Sequence, residues 1–136
     1  MSALAADRIT PRRKIDHTAT YKVKASTKIW QGGMVATDAN GYLVPASDTA
    51  ALVVVGVAET SVDNSAGSSG DLSCWVSKGI FQFPMNGTDI AQAQIGTNAT
   101  VYDDQTVSKA SVTTNDIVVG QIEEIDGSTV WVRVGY

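Results

Sequence analysis

His17, Cys74 and two adjacent carboxylate pairs, Asp103-Asp104 and Glu123-Glu124, are the residues of this chain whose types could carry chemistry. A histidine serves as a general base only where a rigid setting holds it within reach of a nucleophile. His17 lies between Asp16 and Thr18 in a segment crowded with positive charge, and reads as a hydrogen-bonding residue. Cys74 falls mid-strand on an apolar face, where a buried, inert thiol is expected. Neighbours on a strand point to opposite faces, so neither carboxylate pair makes a ready acid–base dyad. A hydrolytic site built from Asp103, Asp104, Glu123 or Glu124 is the weakest of three functional readings.

Binding chemistry is equally sparse. Asp63, Ser65, Gly67, Ser69 and Asp71 alternate as calcium ligands do, but lack the further acids and the closing glutamate of such a loop. No cysteine–histidine spacing suits zinc. No glycine-rich phosphate loop opens a helix. The expectation is therefore a protein that is not an enzyme, with no catalytic residues, no metal and no cofactor. Asn86-Gly87-Thr88 and Asn98-Ala99-Thr100 match the glycosylation sequon, and with no secretory leader expected they read as chance matches.

The elements that must position these residues are short strands. From Gly33 onward, brief β-type runs alternate with turn residues, the pattern of an all-β antiparallel sandwich or barrel. Asn40-Gly41 and Asp126-Gly127 each predict a tight hairpin, because both positions of such a turn tolerate positive φ. Residues 52–59 predict a strand through the core, and residues 62–71 a polar surface loop with nothing to bury. Leu72, Cys74 and Val76 share one face of a strand, and Phe81 and Phe83 share a face of the next. Residues 88–95 predict the one short helix, capped by Thr88 and closed by Gly96. Further strands are expected over 99–102, 106–108, 117–125 and 129–134, with a bulge near Glu123-Glu124 where the apolar parity slips. Trp75 sits on the side of two serines, and Trp131 on the side of Thr129 and Arg133. Two readings of these tryptophans stay open: a second core layer, or a subunit interface formed by Trp75, Trp131 and Arg133.

Charge divides the chain in two. Residues 1–28 hold seven bases (Arg8, Arg12, Arg13, Lys14, Lys22, Lys24, Lys28) against two acids, a net of +5. Residues 29–136 hold three bases against twelve acids, a net of −9. Like charges in a short segment resist packing, so residues 1–28 read as a basic N-terminal arm and residues 29–136 as one β-rich domain. A segment of this kind reaches for a partner of opposite sign. Direct nucleic-acid binding ranks below a protein surface, because the body is acidic, the isoelectric point is near 4.7 and no aromatic–basic stripe is present. No apolar run approaches the roughly 20 residues of a membrane helix, so no membrane partner is expected. A single cysteine cannot form an internal disulfide and fits synthesis in a reducing cytoplasm.

The order of features from residue 30 to 134 resembles a known family. Gly33-Met34-Val35-Ala36-Thr37 with Asn40-Gly41 and Pro45 comes first, then Val54-Val55-Gly56-Val57-Ala58 and Gly70-Asp71. Lys78-Gly79-Ile80-Phe81, Gly96, Val101-Tyr102-Asp103-Asp104, Val119-Gly120 and Val130-Trp131-Val132 follow. This arrangement is similar to the capsid decoration, or cement, proteins of tailed bacteriophages. The resemblance implies a small β-tulip-like domain on the outer surface of the virion capsid, clamping major capsid protein subunits against the pressure of packaged DNA. It also implies a homo-oligomer, usually a trimer and in some relatives a dimer. On this reading Arg8, Arg12, Arg13, Lys14, Tyr21, Lys22, Lys24 and Trp30 of the arm contact the capsid or a neighbouring subunit. The alternative is a surface-displayed recognition module that binds host glycan or another ligand, with Trp75 as its exposed aromatic.

Overall fold

Alternating apolar residues bounded by glycine, proline and aspartate turns fold here as strands joined by short connections. The computed structural model describes Ala6 and residues 18–135. Arg8, Arg12, Arg13, Lys14 and His17 lie outside the described residues. The strands are β1 (Thr18–Lys22), β2 (Thr27–Ile29), β3 (Met34–Thr37), β4 (Leu43–Pro45), β5 (Val53–Ala58) and β6 (Val62–Asn64). They continue as β7 (Ser73–Ser77), β8 (Gly79–Pro84), β9 (Asn98–Val101), β10 (Val107–Lys109), β11 (Val118–Asp126) and β12 (Thr129–Val134).

Two five-stranded antiparallel sheets pack together, one ordered β1-β7-β5-β3-β4 and the other β10-β9-β11-β12-β8. A two-stranded ribbon of β2 and β6 adds a third piece. The result is an all-β sandwich, and neither sheet closes into a continuous barrel. Each sheet nevertheless draws its two edges together at one point. Val23, just past β1, bridges Leu43 of β4, and Met85, just past β8, bridges Val107 of β10.

The middle of the first sheet is buried on both faces. Met34, Ala36, Val54 and Val57 point into a large core shared with Phe83, Val101, Val119, Ile122, Val130 and Val132 of the second sheet. Val35, Leu43, Ala58, Cys74 and Val76 point the other way, into a smaller core closed by Val23 and Ile29. This explains why β3 and β5 read as nearly unbroken apolar runs. Both cores are apolar and mostly aliphatic, and burying such side chains stabilises by about 1.5–3 kcal/mol each for the larger ones.

Both hairpin predictions are observed. β3 and β4 pair around Gly41, whose φ is +83°, and the Asp38 side chain accepts from the Asn40 and Tyr42 amides. β11 and β12 pair from Asp126↔Thr129 outward, with the register shift between Ile122 and Glu124 that the parity slip predicts. Two expectations are overturned. Residues 88–95 form only a 3-10 turn at Gln92–Gln94, because the segment buries little more than Ile90 and has no apolar face to pay for a helix. The polar loop over 62–71 begins as strand β6, and its Asn64 is buried. That side chain donates to the carbonyls of Lys24 and Ser68, at 3.0 Å each, and more weakly to Val23.

Residues 18–28, read from charge as part of the arm, supply β1, β2 and the fully buried Val23. Alternation explains this: Tyr21 and Val23 face inward while Lys22 and Lys24 stay exposed.

Candidate functional site

The residues singled out for chemistry are scattered and mostly engaged in local structure. Burial raises the Cys74 thiol above its usual range, and its Sγ lies 3.5 Å from the Thr60 carbonyl. Asp63 is held below the ordinary carboxylate range by its Ser65 hydroxyl and amide donors, and Asp71 accepts from the Ser68 amide at 2.9 Å. These acids brace their own loop. Asp103 accepts from the Gln105 amide at 2.9 Å, and Glu123 and Glu124 are exposed at the β11 bulge. No group of three or more metal-ligating side chains converges among the described residues.

Exposed aromatics are the more informative feature. β1 is the edge strand of the first sheet, and Thr20 pairs with Trp75 of β7. Trp75 is 52% exposed and belongs to neither apolar core. The chain enters β1 at Thr18 opposite Ser77, two residues along β7 from Trp75. Beside this entry the Ser77 hydroxyl donates to the Glu59 carboxylate, and a shallow cleft is lined by Glu59, Ser77, Lys78, Gly79, Ile80 and Phe81. The basic segment ahead of Thr18 therefore joins the fold next to an exposed tryptophan and an exposed Ile80.

Within the described part of the predicted arm, roles differ residue by residue. Tyr21 is half-buried against the smaller core. Lys22 is exposed, and Lys24 lies 3.6 Å from the largely covered Asp38 carboxylate in an ion pair. Lys28 places its ammonium 4.0 Å from the Trp30 ring centroid. Trp30 is 59% exposed and borders a separate cleft in the turn between β2 and β3. Sequence reasoning placed Trp30 with the arm and did not anticipate this cleft, whose other wall comes from the β9–β10 turn some 70 positions along the chain.

Trp131 stands elsewhere, half-buried on the outer face of the second sheet between Gln82 of β8 and Glu124 of β11. Arg133, on the same face, lies between Ile80 and Gln121. Neither Trp75 nor Trp131 belongs to either apolar core. The structure thus separates Trp75 from the Trp131–Arg133 pair, placing them on different sheets.

No protein-family model matches the chain, and no curated protein matches it. Among solved structures the chain is similar to the N base of the head fiber protein gp8.5 of bacteriophage phi29. The two share 20% sequence identity, the match covers 87% of this chain and 94% of that one, and the TM-score is 0.44.

Proposed function

We propose that this chain is a structural protein of a bacteriophage head that binds the outer surface of an assembled capsid and clamps major capsid subunits together. One observation carries the reading: β1, an edge strand of the first sheet, leads the basic N-terminal segment into the fold beside the exposed Trp75. A basic segment that joins the fold beside an apolar ring suits a partner surface that is acidic at its rim and apolar at its centre. The resemblance of residues 30–134 to decoration proteins supplies the identity of that partner. The work is mechanical and non-enzymatic, in keeping with acids that brace loops and a thiol that is buried. Arg8, Arg12, Arg13 and Lys14 supply the electrostatic part of attachment, and several copies acting together raise the effective affinity. The outer face around Trp131 and Arg133 is the subunit contact of a homo-oligomer, with a trimer favoured.

Co-sedimentation of the full chain with expanded, undecorated phage heads tests this. Saturable binding at a fixed copy ratio is expected, weakening as salt rises. A truncation lacking residues 1–17 keeps every described strand and is expected to bind heads more weakly, with less salt sensitivity. Equal binding by the truncated and full chains would refute the role of the basic segment. No binding by the full, folded chain would refute the capsid reading.

A further inference from the structure

The turn between β2 and β3 and the turn between β9 and β10 face each other across an open cleft of about 400 Å³, lined by Trp30, Gln31, Gly32, Gly33, Asp104 and Gln105. Both walls are fixed by backbone hydrogen bonds. Met34 N–H donates to the Asp104 carbonyl at 2.7 Å, which staples one turn to the other. Gly32 N–H donates to Ala58 at 2.9 Å and Gln31 N–H to the Ser61 hydroxyl at 3.0 Å. Gly32 turns with φ +87°, a conformation that favours glycine. A site that needs no ordering on binding retains more of its interaction energy.

The side chains offered into this cleft form a particular set. Trp30 lines the cleft and is 59% exposed; the Lys28 ammonium covers one face of its ring, 4.0 Å from the centroid, which leaves the other face for a ligand. Asp104 brings a carboxylate close to the Gly33 backbone, where a Cβ would lie 3.6 Å from Oδ2. Gln31 and Gln105 bring two carboxamides, each both donor and acceptor. A pyranose matches this set: one face of its ring is a patch of C–H groups, and its rim carries hydroxyls that donate and accept. The C–H face covers indole, the hydroxyls donate to the carboxylate, and the carboxamides complete the exchange. The cleft is too open and too polar for an apolar peptide anchor. Asp103 and Asp104 together disfavour an acidic sugar.

We propose that this cleft is a binding site for neutral hexopyranosides, with Trp30 as the stacking platform and Asp104 as the principal hydroxyl acceptor. The site uses neither Trp75 nor the segment ahead of Thr18, and it gives Trp30 a role other than the capsid contact expected from the sequence.

The test is titration of the full-length, ¹⁵N-labelled protein with the neutral trisaccharides N,N′,N″-triacetylchitotriose, cellotriose and maltotriose, and with the acidic 3′-sialyllactose. The three tryptophan indole N–H resonances are the readout, assigned by Trp30→Phe, Trp75→Phe and Trp131→Phe. The Trp30 signal is expected to move with at least one neutral sugar, with a dissociation constant of about 1 mM or tighter. Trp30→Ala should abolish the response, Asp104→Asn should weaken it about tenfold, and Trp75→Ala should leave it unchanged. Trp30 is largely exposed, so a retained amide spectrum in Trp30→Ala shows that lost binding is not lost folding. Silence of the Trp30 signal with all three neutral sugars at about 20 mM would overturn the proposal. So would a response abolished by Trp75→Ala, or tighter binding of 3′-sialyllactose than of any neutral sugar. Head co-sedimentation by Asp104→Asn keeps the two readings apart: unchanged attachment is expected, and lost attachment would reassign the cleft to the capsid contact.

Discussion

At Gly120 the backbone takes φ +157° where β11 shifts register against β9, and a Cβ there would collide with the Arg133 carbonyl of β12. Gly120→Ala is therefore expected to lower unfolding stability by about 2–3 kcal/mol in urea titration. A wild-type midpoint would mean that β12 yields at no cost. Cys74 gives a second residue-scale expectation. It is fully buried and its thiol is pushed up by desolvation, so Ellman's reagent should find no thiol in the native protein and one per chain in denaturant. Rapid native reaction would show that the smaller core opens. The candidate chemistry was legible at this scale chiefly by elimination. Asp63 and Asp71 sit where a loop needs amide acceptors, which sequence alone does not distinguish from ligands. The Trp30 cleft was illegible, because Asp104 reaches it only through the pairing of distant turns.

Between elements, the connection after β4 and the one between β10 and β11 are tied by Asp48. Its carboxylate accepts from the Thr114 and Asn115 amides at 2.8 Å each, and Asn115 Nδ2 donates back to the Asp48 carbonyl at 2.9 Å. These amide donors, Asn115 foremost, hold Asp48 below the ordinary carboxylate range. A depressed folded pKa means that the unfolded chain takes up the proton first. The stabilisation is complete above the unfolded value of about 3.9 and is lost as pH falls through the folded value. Asp48→Ala is accordingly expected to melt earlier than wild type at neutral pH, with the gap narrowing on acidification; melts taken between about pH 7 and pH 2 check this, and a constant gap would refute it. Elements were legible where local chemistry decides them: Asn40-Gly41, Asp126-Gly127 and the slip after Ile122 each mark a feature observed here. They were illegible where partners decide. Residues 18–28 look like an arm by charge, yet β7, β6 and Asn64 recruit them into sheets. Residues 88–95 look helical by propensity, yet they bury too little to fold so.

Across the whole molecule, the outer face of the second sheet leaves Trp131 half-buried among Gln82, Glu124 and Arg133, outside both cores. If this face joins copies, Trp131→Ala should reduce the mass seen by analytical ultracentrifugation while leaving the thermal midpoint of the subunit nearly unchanged. Unaltered mass with a lowered midpoint would assign the ring to the fold of the single subunit instead. The entry of the chain has a mechanical consequence as well. A pull on the segment ahead of Thr18 meets first the five residue pairs between β1 and β7, running from Thr18↔Ser77 to Lys22↔Ser73. It then meets Val23, which has no exposed surface and bridges the opposite edge strand at Leu43. Tension applied at the N-terminus thus ends in a plug seated in the core, and the tether cannot peel free without extracting that plug.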